Sequence, residues 1–294
     1  MIWRDKHACY KSYESNIMKY RQFIQSIKKS TPKPIKLLYH SIKHFTKVLR
    51  YRSVELLFGK EELPFYCPCC DLHLKSFISL HYENKTEYYD PARYKTENQN
   101  VICPLCHSLP RHRILALWCE KHKELLHGSD ILYFALEKGM AAWLKRNGIS
   151  VTTADLNNKA NLKIDIQSTN LPDESYDFII CNHVLEHVAD YNKALYEIFR
   201  ILRPGGYLIC SFPMDPKINL VDETDAEISE KEHIQRYGQF DHNRVFGMNA
   251  GSLLADSGYI VTEINGKDYP DEILPVPGPA DYDANILFLC QKPK

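Results

Sequence analysis

The chain has 294 residues with 37 basic and 37 acidic side chains, a formal net charge of zero. Its 44% apolar share supplies a core for one large domain or two smaller ones, and no long uninterrupted apolar run reads as a membrane span. The opening "MIWRDKHACYKSYESN" carries no signal-peptide core, so the expected location is cytoplasmic, peripheral to the inner face of the membrane if its basic head rests on lipid.

The zero balance hides an asymmetry. Residues 1–60 hold fourteen Lys or Arg against three Asp or Glu, which leaves −11 for the remainder. Within this head, "IKLLYHSIKHFTKVLRYRSVELLF" spaces Leu37, Leu38, Ile42, Phe45, Val48 and Leu49 as a helix does, and "TPKP" separates it from an earlier helix ending near Lys29. The segment suits a helical pair packed on the body, or a basic surface for anionic lipid or an acidic protein partner.

Residues 61–112 form a cysteine module. Cys67 and Cys70 enclose two residues, as do Cys103 and Cys106. Each pair can offer two thiolates from one turn, as a structural, tetrahedral zinc requires. Proline after the first cysteine of each pair restrains the turn. The 32 residues between Cys70 and Cys103 predict a ribbon with a long hairpin, Cys69 competes with Cys70, and His107 can replace one thiolate. Cys9, Cys119, Cys181, Cys210 and Cys290 lie singly among apolar neighbours and read as small hydrophobes of a reducing compartment.

In "HSLPRHRIL", Ser108 is expected to cap a helix with Pro110 in its first turn. Arg111 and Arg113 then sit at the positive end of the dipole. They either reach water and nearby acids, or join the free amides in holding an anion such as a substrate phosphate.

From residue 113 to 294 the pattern alternates. A helix over 113–126 leads to the strand "DILYFAL", the helix "GMAAWLKRNG" stopped by Gly148, and the strand "ISVTTADL". The strand "YDFIICNHV" precedes the helix "ADYNKALYEIFRILRPGG", closed by Pro and glycines, and the strand "YLICSFPM". "GYIVTEI" and "ANILFLCQK" close the edge. Apolar strands between amphipathic helices predict an α/β domain with a parallel sheet covered on both faces.

The run "LPDESYDFIICNHVLEHVADYNKALYEIFRILRPGGYLICSFP" resembles the class I S-adenosylmethionine-dependent methyltransferases of the small-molecule type. In that family an "LP…SFD" entry precedes the fourth strand, "LEH" follows it and "LRPGG" ends the next helix. The resemblance spans about residues 128–292. It implies a Rossmann-like sheet, mostly parallel with an antiparallel final strand, and S-adenosylmethionine as cofactor at the carboxyl ends of the strands. The family's first loop is acidic and glycine-rich beneath the methionine moiety; here it is Phe134, Ala135, Glu137 and Gly139, without the triple glycine. By the same resemblance Asp155, with Leu156 beside it, ends the second strand and accepts from the ribose hydroxyls. Asp165 and Ile166 read the adenine edge, and Asn182 with His183 lines the methyl-transfer side.

His183, Glu186 and His187 share one face if helical. "YGQFDHNRVF" adds Asp241, His242 and Arg244 after a long acidic loop. This set is similar to that of small-RNA 2′-O-methyltransferases, which implies a divalent cation held by a carboxylate and histidines. The first of those positions is acidic there and His183 here; two imidazoles and a carboxylate suit a transition ion better than magnesium. Without a metal, "LEH" is a capping and packing feature. His242 is the general base or orients the acceptor, and Arg111, Arg113 and Arg244 bind substrate.

The expected function is O-methylation of a sugar or glycan precursor; "CPLC", "RHR" and "DH.R" resemble zinc-knuckle methyltransferases of bacterial surface-polysaccharide loci. One alternative is an RNA methyltransferase gripping nucleic acid with its ribbon and basic head, disfavoured by the acidic catalytic half and the lack of an "NPPY" signature. The other is a non-catalytic binding protein, suggested by the glycine-poor loop.

Overall fold

The computed structural model describes residues 33–79, 100–156, 159–224, 226–274 and 286–294. The earlier helix of the basic head and the long hairpin between the cysteine pairs lie outside the described residues. The chain divides into two units, 1–54 and 55–294. Helix α1 (Lys33–Phe58) opens the described part, with Pro34 in its first turn, where a missing N–H costs no hydrogen bond. Ile42, Phe45 and Leu49 are exposed along it. Its last turn belongs to the second unit, where buried Glu55 meets His73 Nδ1 at 2.9 Å.

The cysteine module is built from short antiparallel pairs. β1 (Phe65–Cys67) pairs with β2 (Leu72–Leu74), setting Cys67 opposite Leu72, and β3 (Ile78–Ser79) pairs with β4 (Asn100–Ile102). Helix α2 (Pro110–Lys121) follows at once and passes into a 3₁₀ turn at Lys123–Leu125, earlier than the expected end at 126. The cysteine module and the body that follows it lie in one compact unit, 55–294.

The sheet follows the expected alternation. β5 (Ile131–Phe134) is buried throughout, and α3 (Lys138–Asn147) stops at Gly148, whose φ of 65° is left-handed. β6 (Thr152–Asp155), β7 (Leu162–Lys163) and β8 (Tyr176–Asn182) come next. Helix α4 (Tyr191–Ile201) is capped by Asp190, which accepts from Lys193 N, and buries Tyr191, Ala194, Leu195, Ile198 and Ile201, one face at helical spacing. β9 (Leu202–Ser211), β10 (Asp222–Glu223), α5 (Glu230–Tyr237), β11 (Arg244–Val245), α6 (Ala250–Asp256), β12 (Ile260–Asn265) and β13 (Ile286–Gln291) complete the body. The seven-stranded order is β12-β13-β9-β8-β5-β6-β7, with the final strand β13 antiparallel to both of its neighbours and the other pairings parallel.

Three local expectations change. "LRPGG" is the start of β9 and not the end of a helix. Leu202 already pairs with Tyr176, and a Cβ on Gly206 would lie 2.9 Å from the Asp177 carbonyl, which explains the glycine. The acidic loop contains α5, opened by a capping box in which Ser229 accepts from Glu232 N and Glu232 accepts from Ser229 N. Ser108 does not cap α2. The N-cap is Leu109, and its amide donates to His112 Nδ1 at 2.8 Å.

Candidate active site

Among the described residues, two groups of side chains converge closely enough to hold an ion. In the first, the sulfurs of Cys67, Cys70, Cys103 and Cys106 all lie within 4.8 Å of one another, with Cys67–Cys106 at 3.6 Å and Cys70–Cys103 at 3.7 Å. Tetrahedral zinc with bonds of about 2.3 Å sets its sulfurs about 3.8 Å apart, so the four residues fit that ion and fill its coordination. Cys69 does not compete, because its sulfur meets the His112 carbonyl at 3.3 Å, and exposed His107 is not in the converging set.

Arg113 belongs to this centre. Its side chain is fully buried, stacks 4.0 Å from the Phe77 ring, and donates to the carbonyls of Ile273, Val101 and Ser108. It is therefore no substrate ligand, contrary to expectation. Four thiolates on a dication leave a double negative charge, and a buried guanidinium beside them offsets part of it.

The second locale is the carboxyl edge of the parallel strands. Phe134, Asp155 and Asn182 end β5, β6 and β8, adjacent strands, so the expected cofactor positions lie side by side. Their side chains differ in what they can reach. Asp155 is half-buried and Leu156 is 67% exposed. Phe134 and Ile166 are packed in the core, and buried Asn182 accepts from Ser211 Oγ at 2.9 Å. Asp165 Oδ1 receives the amide and side chain of Gln167 at 2.9 and 3.1 Å, and Oδ2 the same side chain at 3.3 Å, so both carboxylate oxygens are engaged locally.

The loop after β5 departs most from expectation. Ala135 stands at φ 51°, a left-handed backbone that costs a non-glycine residue roughly 1 kcal/mol. Glu137 Oε1 receives Arg111 Nη2 at 2.8 Å and His112 Nε2 at 2.5 Å. Burial pushes the Glu137 pKa up, yet Arg111 first and then His112 outweigh it and hold it at about 2. His112 is held below its ordinary value by burial and by Arg111, which matches a neutral ring whose Nδ1 accepts from Leu109. Arg111 is thus paired inside the protein, not held ready for a substrate anion. His112 is the centre of the "RHR" motif, but the sequence reading gives it no role of its own.

Beyond β8, residues 184–187 form a turn rather than the expected helix, and the turn gathers the polar side chains. His183, at φ 51°, brings Nδ1 to 3.0 Å from Glu186 Oε1, and His187 Nε2 lies 3.9 Å from the same oxygen. Glu186 is fully buried, and among the described residues its Oε2 has no hydrogen-bond partner. Burial opposes its charge, but His183, His242 and His187 together hold its pKa below the usual carboxylate value. His187 Nδ1 meets the Asp241 carbonyl at 3.0 Å and His242 Nδ1 the Tyr237 carbonyl at 2.9 Å. A carbonyl only accepts, so both Nδ1 atoms carry the proton, and in the neutral ring each Nε2 presents a lone pair. One donor atom each from Glu186, His187 and His242 lies within 4.8 Å of the others. An orphaned carboxylate oxygen and two oriented imidazoles fit a divalent transition ion.

Arg244 and Asn243 build this turn. Arg244 donates to the carbonyls of Leu185, Val188 and Ala189, and Asn243 to those of Glu186, His187 and Val188. Only 3% of Arg244 is exposed, and Glu223 takes its Nε at 2.8 Å. Its expected role as a substrate ligand is corrected: the turn consumes it.

The strand order and the antiparallel final strand make this the Rossmann-like α/β sheet that the sequence resemblance implies. Residues 125–210 match the family described as a methyltransferase domain. The demethylmenaquinone methyltransferase of Listeria monocytogenes serotype 4a is 36% identical over 75 residues, 26% of this chain and 32% of that protein. An uncharacterized 37.1 kDa protein of transposon TN4556 from Streptomyces fradiae is 35% identical over 100 residues, 34% of this chain and 29% of that protein. The chain thus spans about a third of the length of these curated relatives. A solved SAM-dependent methyltransferase from Archaeoglobus fulgidus is 14% identical, covering 62% of this chain and 94% of that one at a TM-score of 0.42. No helix among the described residues is long and apolar enough to cross a membrane.

Proposed function

We propose that the chain is an S-adenosylmethionine-dependent O-methyltransferase acting on a sugar hydroxyl of a glycan precursor, with a structural zinc on Cys67, Cys70, Cys103 and Cys106. The observation that carries this reading is the convergence of Glu186, His187 and His242 next to the strand-end row that begins with Asp155. A divalent ion on these three residues would grip the adjacent hydroxyls of a sugar and make one of them easier to ionise.

The chain's own groups supply the rest. Asp155, at the end of β6, would hold the cofactor by accepting from its ribose hydroxyls. When bound, S-adenosylmethionine would supply its methyl group to the acceptor oxygen, whose hydroxyl proton must then leave. His183 is placed to take it: Nδ1 faces Glu186, while Nε2 has no hydrogen-bond partner among the described residues. This moves the base role from His242, whose Nε2 is assigned to the ion.

Radiolabelled methyl transfer into fractionated cell extract, with and without a chelator, tests the reading. Chelator-sensitive label in a glycan fraction supports it. Label that persists under chelation returns His242 to the role of base. Label in RNA instead of glycan, or no transfer and no saturable cofactor binding, rejects the proposal.

A further inference from the structure

The glycine-poor loop 135–139 needs an external restraint, because Ala135 holds a left-handed backbone without glycine's freedom. Three contacts supply it, and all come from the segment that follows the second cysteine pair. Arg111 and His112 grip the Glu137 carboxylate. At Gly139 an added Cβ would lie 2.9 Å from Ser108 Cα and 2.8 Å from its Cβ, so loop and segment touch backbone to backbone. Ser108 is itself fully buried. Its hydroxyl sits 3.1 Å from Cys67 Sγ, and its carbonyl accepts from Cys103 N at 2.9 Å and from Arg113. One residue thus separates the thiolates from the loop, and it touches both.

We propose that Arg111 and His112 are positioning residues that, with Ser108, tie loop 135–139 to the cysteine centre, so that losing the centre disorders the loop. The consequence for affinity rests on the methyltransferase reading, in which this loop lies beneath the cofactor's methionine end; the ordering itself does not. Charge drives the tie, since Glu137 has Arg111 as its ionic partner and a buried carboxylate released from it must find water. Geometry sets the register, since the Ser108–Gly139 contact leaves no room for sliding.

The test is hydrogen exchange on the full chain, read alongside S-adenosylmethionine titration by calorimetry. The samples are the parent protein, Arg111→Ala, Arg111→Lys, Ser108→Ala, and the parent stripped of metal by a mercurial and a chelator. Amides 135–139 are expected to exchange at least about tenfold faster in Arg111→Ala and in the stripped protein, the loss expected for one charge-assisted hydrogen bond. Arg111→Lys should recover part of the protection, and β9 should stay protected in every sample. Cofactor affinity should fall with the loop's protection. Unchanged exchange in the loop for Arg111→Ala and Ser108→Ala overturns the proposal, as does a loss shared equally by β9. These two variants keep all four thiolates, so they decide the matter even if stripping unfolds the chain. A loop that responds in a protein that never binds the cofactor upholds the tie and sinks the methyltransferase reading. Binding with an indifferent loop does the reverse.

Discussion

Glu137 keeps its charge out of bulk water because two neighbours meet it, and this makes it a reporter on acid stability. Its pKa falls from 4.5 to about 2 on folding, so the native state binds fewer protons than the unfolded chain in that interval. The stabilisation is complete above pH 4.5 and is lost as pH drops toward 2, with a size of about 3 kcal/mol by linkage. His112 acts in the same direction. Its pKa lies below the ordinary 6.5, so its share is present above that value and shrinks as pH falls through the lowered one. Urea unfolding of the parent and of Glu137→Gln across this range should show the parent's advantage vanishing at the acid end. A constant difference between the two at every pH would refute the ionised, paired Glu137.

At the scale of elements, the turn 184–187 depends on a strand that lies far away in the chain. Arg244, on β11, satisfies carbonyls of Leu185, Val188 and Ala189 that no regular structure serves. Arg244→Met keeps the bulk but takes the Arg244 donor from the Leu185 and Ala189 carbonyls and leaves Val188 to Asn243 alone, which should cost about 3 kcal/mol or more in chemical denaturation. Because the same turn aims His187 and Glu186, methyl transfer should fall further than the fraction of folded protein. Activity that tracks only the folded fraction would mean that the turn's shape is irrelevant to the chemistry.

Across the whole molecule, two ion sites of opposite character are proposed, and metal content separates them. Elemental analysis of the purified chain should find zinc retained in Glu186→Gln and His242→Ala, with any second ion reduced in both. Cys103→Ser should lose zinc and melt well below the parent, because Arg113 would remain buried without its thiolate neighbours. Retention of the parent's full metal content in Glu186→Gln would eliminate the second site.

Sequence alone determined the sheet, because buried parallel strands must be apolar runs and their helices must be one-sided, as "ILYF" and the face of α4 show. It also confined two sulfurs to each of the two cysteine turns, but the choice of Cys70 over Cys69 and the exclusion of His107 came with the tertiary structure. The cap of α5 by Ser229 and Glu232 is equally legible in "SEKE", although the segment reads at first as a plain acidic loop. The arginines are another matter. Arg111, Arg113 and Arg244 look alike in sequence, as free cations beside chemistry. Only the tertiary structure decided that they serve Glu137, the carbonyls around the cysteine centre, and the turn after β8. A guanidinium goes where unmet acceptors are, and which carbonyls lack partners is set by how distant segments meet, a property that no local pattern records.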